Sequence, residues 1–323
     1  MIQLFSLFVP PYLLDSPALL ILFTSLPILI FSILIHRAFL SPLSHIPGPF
    51  IARLTPLWIW YHSTTRHSAH LLTSLHSKYG PVVRISPSEC VIADGTALQA
   101  IYGERGGFQK AACYANFDFS GHATIFSARD PGYRNARSKA VASLFSTGRI
   151  RAGHGVIEAC VTRFTERVRG EARAKGTVDV LNLSRSLALD AVSSFLFGRV
   201  YGGIEEEGDR LSASGFVDLL VEAGRFFYLP HWLFVAVQAV GERLCSGADS
   251  TAEAGGATLE AFARDMVRET PANDETYQGR LKMAGISDHE NEVQCMDLMF
   301  AGCDSTGTNL SKLIWRLAKS PQV

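Results

Sequence analysis

Phe300-Ala301-Gly302-Cys303-Asp304-Ser305-Thr306-Gly307 lies inside what otherwise reads as one long amphipathic helix. An ordinary core helix has little use for two glycines in its middle, since each costs roughly 1 kcal/mol relative to alanine. Either something packs very close to the backbone here or the helix is distorted, and both readings mark a site. The acid and two hydroxyls between the glycines supply groups that can move protons.

The limits of this helix follow from its ends. Ser287 and Glu290 have the spacing of a capping box. Val293, Met296, Phe300, Leu310, Ile314 and Leu317 recur at helical intervals. Lys319 suits a helix C-terminus, and Pro321 blocks continuation. About 30 residues at about 1.5 Å each give a rod of roughly 45 Å, enough to cross a large domain.

Composition narrows the classes. Of 323 residues 47% are hydrophobic, and 30 basic side chains balance 30 acidic ones. A neutral total gives no reason to expect nucleic acid as a partner. The six cysteines, Cys90, Cys113, Cys160, Cys245, Cys295 and Cys303, form no metal-ligand spacing and read as reduced thiols, so no metal ligand is assigned.

The N-terminal region carries a second signal. Ala18 to Ile35 is uncharged and rich in Leu, Ile and Phe, with Pro27 inside it. Eighteen residues reach the short end of the spanning range, and Ile2 to Leu14 could lengthen the run. Asp15 precedes it and His36-Arg37 follow, which predicts a transmembrane anchor with a cytosolic C-terminal domain. A cleavable signal peptide is the competing reading, but it calls for a basic n-region and a small-residue cleavage site. Ser41-Pro42-Leu43-Ser44-His45-Ile46-Pro47-Gly48-Pro49 then reads as a stiff hinge.

Farther along, Arg66 to Tyr79 reads as a helix stopped by Gly80-Pro81, and Val82–Ile85 with Cys90–Ala93 as a hairpin. Helices are expected from Asp130 to near Gly148, then over about 150–175, 184–197, 211–226 and 232–246. Phe108 to Phe126 is Gly- and aromatic-rich without a period and reads as a functional loop. There is no Gly-x-Gly-x-x-Gly or P-loop, and Ser305 lacks the nucleophile elbow of a hydrolase.

In this order, the anchor, Ile46-Pro47-Gly48-Pro49, Lys78-Tyr79-Gly80-Pro81-Val82-Val83-Arg84-Ile85, Tyr133 with Arg137, and Ala301-Gly302-Cys303-Asp304-Ser305-Thr306 resemble the cytochrome P-450 family of heme-thiolate monooxygenases. They look like its fungal, membrane-anchored form. The resemblance covers essentially the whole chain. It implies a mainly α fold with a small N-terminal β-hairpin, preceded by one transmembrane helix: residues 1–36 as tail and anchor, 37–50 as hinge, and 51–323 as the N-terminal portion of the family's domain. It also implies heme b as cofactor, with the long helix crossing one heme face and Ala301 and Gly302 letting the porphyrin approach. Asp304 and Ser305 would deliver protons to dioxygen, Ser305 standing where the family most often has Thr. Tyr133 and Arg137, i and i+4 on one face, would bind a heme propionate. Phe117, Phe226 and Phe300 are the expected substrate-pocket residues, and 215–245 resemble the family's access helices.

Further implications concern partners. NADPH-cytochrome P-450 reductase is the expected electron donor, and Arg134, Lys139, Arg149 and Arg151 make a locally basic region suited to it. The expected substrate is a lipophilic small molecule, in secondary metabolism, at the endoplasmic reticulum membrane. The family's cysteine loop, Phe-x-x-Gly-x-Arg-x-Cys-x-Gly, follows the long helix, and the sequence ends at Val323 just beyond that helix. Truncation before the iron ligand, and hence no turnover by this polypeptide alone, is therefore expected. Cys245 lies in a similar short pattern but upstream of the helix, with Gln238 where Phe belongs. A non-catalytic, membrane-tethered helical protein of the same fold is the alternative.

Overall fold

The computed structural model describes residues 17–103, 108–245 and 250–320, with side chains from residue 25 onward apart from 242–245 and 250–253. Ile2 to Leu14, Asp15 and Pro321, and the Cys245 side chain, lie outside that description. The chain divides into two compact units, Met1–Gly107 and Phe108–Val323.

In the first unit, helix α1 (Pro17–Ile35) runs through Pro27. Most of its large apolar side chains are exposed, Ile28 at 66% and Phe31 at 64%. A π-helical turn, His36–Leu40, follows. Short helices α2 (Phe50–Leu54), α3 (Leu57–Thr64) and α4 (Ser68–Tyr79) lead into the antiparallel hairpin of β1 (Val82–Ser86) and β2 (Glu89–Ile92). Ile59, Leu75, Val83 and Ile85 form the core of this unit. The Pro-rich stretch is tied down rather than free: Pro47 accepts a hydrogen bond from the Arg84 amide at 2.8 Å. The fully buried Arg84 side chain donates to the carbonyls of Arg37 at 3.0 Å and Pro87 at 2.7 Å. A buried guanidinium needs such acceptors, and here it gathers hinge and hairpin around one charge.

The second unit is helical. Asp130 caps α5 (Pro131–Val141), its carboxylate accepting from the Tyr133 amide at 2.6 Å. The helix expected as far as Gly148 breaks at Val141 into a 3-10 turn, Ala142–Phe145, and restarts as α6 (Thr147–Ala152). There follow α7 (His154–Lys175), α8 (Val180–Phe197), α9 (Ser212–Gly224) and α10 (His231–Cys245). Two further helices, α11 (Ser250–Glu269) and α12 (Tyr277–Met283), had no counterpart in the sequence reading. Last is α13 (Asp288–Lys319), 32 residues without interruption, capped by Ser287, whose hydroxyl accepts from the Glu290 amide at 3.3 Å.

Helix α8 is the centre of this unit. Its length and hydropathy would suit a membrane span, yet 67% of it is buried in protein. Its Leu189, Leu196 and Phe197 pack with Phe216, Leu259 and Met299 in the main core. The fold is thus mainly helical with one small two-stranded sheet.

Candidate cofactor site on the long helix

The glycines of α13 face α8. A Cβ on Gly302 would lie 2.6 Å from Val192 Cγ2, and one on Gly307 2.7 Å from Arg185 Cγ. The close approach foreseen at these glycines is therefore, in the first instance, an approach of two helices. Cys303, between them, is buried and donates its thiol to the Arg185 carbonyl at 3.2 Å. The opposite flank is open: Ala301, Ser305, Thr306, Asn309 and Leu313 are all exposed. Ser305 and Asn309 turn back on that flank, donating to the carbonyls of Ala301 at 2.8 Å and Ser305 at 2.9 Å.

Asp304 and Ser305 do not meet. Consecutive helical residues point about 100° apart, and Asp304 is turned away from the flank. It lies 3.6 Å from Arg185 Nη2 and accepts from the Thr308 hydroxyl at 3.2 Å. Arg185 pairs more tightly with Asp218, at 2.9 Å.

Beside the flank, a cavity of about 350 Å³ opens between α5, α13 and the segment before α5. Ala301, Leu298, Asp297, Arg134, Ser138 and Lys110 line it, along with Phe126 and Phe145. Lys110 donates to the carbonyls of Ile125, at 3.3 Å, and Phe126. Burial, and then the neighbouring Arg134, lower the Lys110 pKa below its usual value. Burial likewise pushes Asp297 up to about 6, against hydrogen bonds from Thr124 and the Phe126 amide and the charge of Lys110. Two cations thus converge on a space that reaches Ala301.

Tyr133 and Arg137 are not among the residues lining that cavity. Both turn to Glu290: the phenol donates to its carboxylate at 2.6 Å, and Arg137 Nε makes an ion pair with the same oxygen. Glu290 therefore does not close the capping box on Ser287 but reaches across to α5. Burial, followed by the hydrogen bond to Glu290, raises the Tyr133 phenol to about 12. Despite burial, the hydrogen bonds from Arg137 and Tyr133 hold the Glu290 carboxyl below its ordinary range. The cavity instead receives Arg134 and Ser138, each one residue further along α5.

The aromatic residues divide similarly. Phe117 stacks with Phe227, centroids 5.2 Å apart, and with Phe126 at 5.6 Å. Phe226 lies instead beside Arg225, and Phe300 packs edge-on against Phe216 at 6.2 Å within the core. The loop of 108–126 is ordered by Asn116, whose amide donates to the carbonyls of Phe227 and Leu229, both at 2.9 Å.

The sequence reading missed a stripe of three polar residues, Glu290, Gln294 and Asp297, that leads to Ala301 at i, i+4, i+7 and i+11 along α13. Gln294 accepts from the Ile125 amide at 2.9 Å and donates to the Ala123 carbonyl at 3.0 Å. That periodicity was the available signal.

These residues fit one face of a flat macrocycle bearing carboxylates. Ala301 offers a shallow surface, Ser305 and Thr306 offer hydroxyls, and Lys110 and Arg134 offer positive charge that Asp297 balances only in part. No described cysteine sits on the open flank. Cys295 and Cys303 are buried, which raises both thiols, Cys303 to about 12.

Comparison with known proteins identifies the family. The family model for Cytochrome P450 matches residues 47–323. Cytochrome P450 monooxygenase mfmF of Annulohypoxylon moriforme is 33% identical over 315 residues, covering 91% of this chain and 64% of that protein. Cytochrome P450 monooxygenase stcB of Emericella nidulans is 27% identical, covering 90% of this chain and 57% of its own length. Benzoate 4-monooxygenase bphA of Aspergillus niger is 33% identical over 199 residues, covering 59% of this chain and 37% of its own. The chain thus spans about three fifths of the length of the first curated relatives it matches. With its long glycine-bearing helix and a family match over residues 47–323, the chain belongs to the cytochrome P450 family.

Proposed function

We propose that the gene product is a heme-dependent monooxygenase that inserts one atom of dioxygen into a lipophilic small molecule. Electrons come from NADPH through cytochrome P-450 reductase, and the setting is fungal secondary metabolism. The observation that carries this reading is the open Ala301 flank beside a cavity in which Lys110 and Arg134 converge.

When bound, heme supplies the iron at which dioxygen is reduced. The chain supplies the rest. Ala301 gives the macrocycle room, Lys110 and Arg134 pair with its carboxylates through charge-assisted hydrogen bonds, and Tyr133 and Arg137 support α5 from behind. Gly302 serves the same approach indirectly, by letting α13 settle against Val192. Ser305 presents a hydroxyl that can exchange its bond to the Ala301 carbonyl for one toward the reacting atoms. Asp304 supplies protons to that hydroxyl once it swings from Arg185. Phe117, with Phe227 and Phe126, walls the apolar substrate space, and Phe226 and Phe300 bound it.

Helix α1 anchors the protein in the endoplasmic reticulum membrane with the residues after it cytosolic, a reading supported by its exposed Leu26, Ile28, Leu29 and Phe31. The test uses microsomes containing the gene product, supplied with NADPH, reductase and isotopically labelled dioxygen. One labelled atom in a lipophilic product is expected, and NADPH-dependent turnover with no label would contradict the reading.

A further inference from the structure

We propose that Glu290 is a positioning residue that sets the roll of α5 and so aims Arg134 into the cofactor cavity. The inference rests on the cavity reading given above. A carboxylate at the third position of a helix ordinarily folds back onto the cap amide. Glu290 leaves that place and takes the Tyr133 hydroxyl at 2.6 Å together with Arg137 Nε. The knot is closed on itself: Arg137 lies 3.3 Å above the Tyr133 ring and donates from Nη1 to the Tyr133 carbonyl at 3.0 Å.

Residues 133 and 137 share one face of α5, while 134 and 138 lie about 100° further round. Locking the first face therefore fixes where the second points, and the second is the one lining the cavity. The lock is stiff because the ion pair is nearly enclosed, with Arg137 and Glu290 side chains 12% and 11% exposed. Removing one partner would strand the other as a buried, unpaired charge. Tyr133 Oη also lies 2.7 Å from the Ala123 carbonyl, which Gln294 shares, so the segment bearing Ile125 and Phe126 is registered by the same knot.

The test titrates hemin into the full 323-residue chain and follows Soret absorbance. Glu290→Ala should weaken hemin binding about 10-fold or more, the scale on which outer residues tune a cofactor's ligands. Glu290→Gln, which keeps an acceptor for Tyr133, should lose less. Exchanging the charges, Glu290→Arg with Arg137→Glu, should recover most of the affinity. Glu260→Ala, which removes only the exposed ion pair with Arg264 on α11, should leave affinity within about 2-fold of the parent. Parent-like affinity in both Glu290 variants, or an equal loss in Glu260→Ala, would overturn the positioning role. Should the parent chain itself take up no hemin, the cavity reading falls, and this inference with it.

Discussion

Gly307 and Arg185 meet backbone to backbone: a Cβ on Gly307 would stand 2.9 Å from Arg185 Cα and 3.0 Å from its nitrogen. Backbone atoms cannot step aside as a side-chain tip can. At Gly302 the obstacle is only a methyl of Val192. Gly307→Ala should therefore destabilise the protein by about 1–3 kcal/mol, as overpacking does. Gly302→Ala should cost less, because the helix-propensity gain of roughly 1 kcal/mol offsets part of the clash. Denaturant unfolding of the two variants checks the order, and equal cost at both sites would count against it.

Asp304 answers to Arg185 rather than to Ser305 in the resting chain. It is about a third exposed, at 35%, and Arg185 keeps Asp218 when Asp304 is neutralised. Asp304→Asn should therefore change stability by less than about 1 kcal/mol. Oxygen transfer in the heme-loaded enzyme should nonetheless fall about 100-fold, the scale of a lost proton-transfer group. Parallel melting and product-formation assays separate the two effects.

Asp297 carries a pH signature. Burial raises its folded value to about 6 from an ordinary 3.8. The folded chain thus holds a proton there that the unfolded chain has released, and stability declines as pH rises between those values. Above about pH 7 the whole penalty is present. Asp297→Asn should melt higher than the parent there, and the advantage should vanish below about pH 4. Melting curves across that range suffice, and a constant offset at every pH would contradict the assignment.

Helix α1 exposes Leu26, Ile28, Leu29 and Phe31. Deleting residues 1–36 should move the protein from alkali-resistant membranes to the soluble fraction, since each buried apolar side chain contributes roughly 1.5–3 kcal/mol. Immunoblotting of carbonate-washed membranes reads the outcome directly. Retention of the shortened chain would place the anchor elsewhere.

Helix ends were legible where capping chemistry is local. Ser287 before Glu290 and Asp130 before Pro131 marked two starts that the structure reproduces. Helix α11, unassigned from the sequence, carries Gly255 and Gly256, residues that weaken a helix. A Cβ on Gly255 would lie 2.7 Å from the Ser212 carbonyl, so that glycine serves a helix crossing that no single-strand pattern reveals. The same limit governed the site. Spacing of i and i+4 put Tyr133 and Arg137 on one face, but which face of α5 meets the cavity depends on Glu290, more than 150 residues away. The resemblance implied Phe117 as a pocket residue, while its ring partner, Phe227 rather than Phe226, is set by Asn116.

Uptake of hemin by the parent chain and by Ala301→Trp, followed by Soret titration, tests the central claim most directly. An indole at 301 fills the flank where the macrocycle is placed and leaves Gly302, Gly307 and the α8 contact untouched. The account predicts saturable one-to-one uptake by the parent and at least about a 10-fold loss in the variant, or about 1.4 kcal/mol. Equal uptake by a folded Ala301→Trp chain would contradict it.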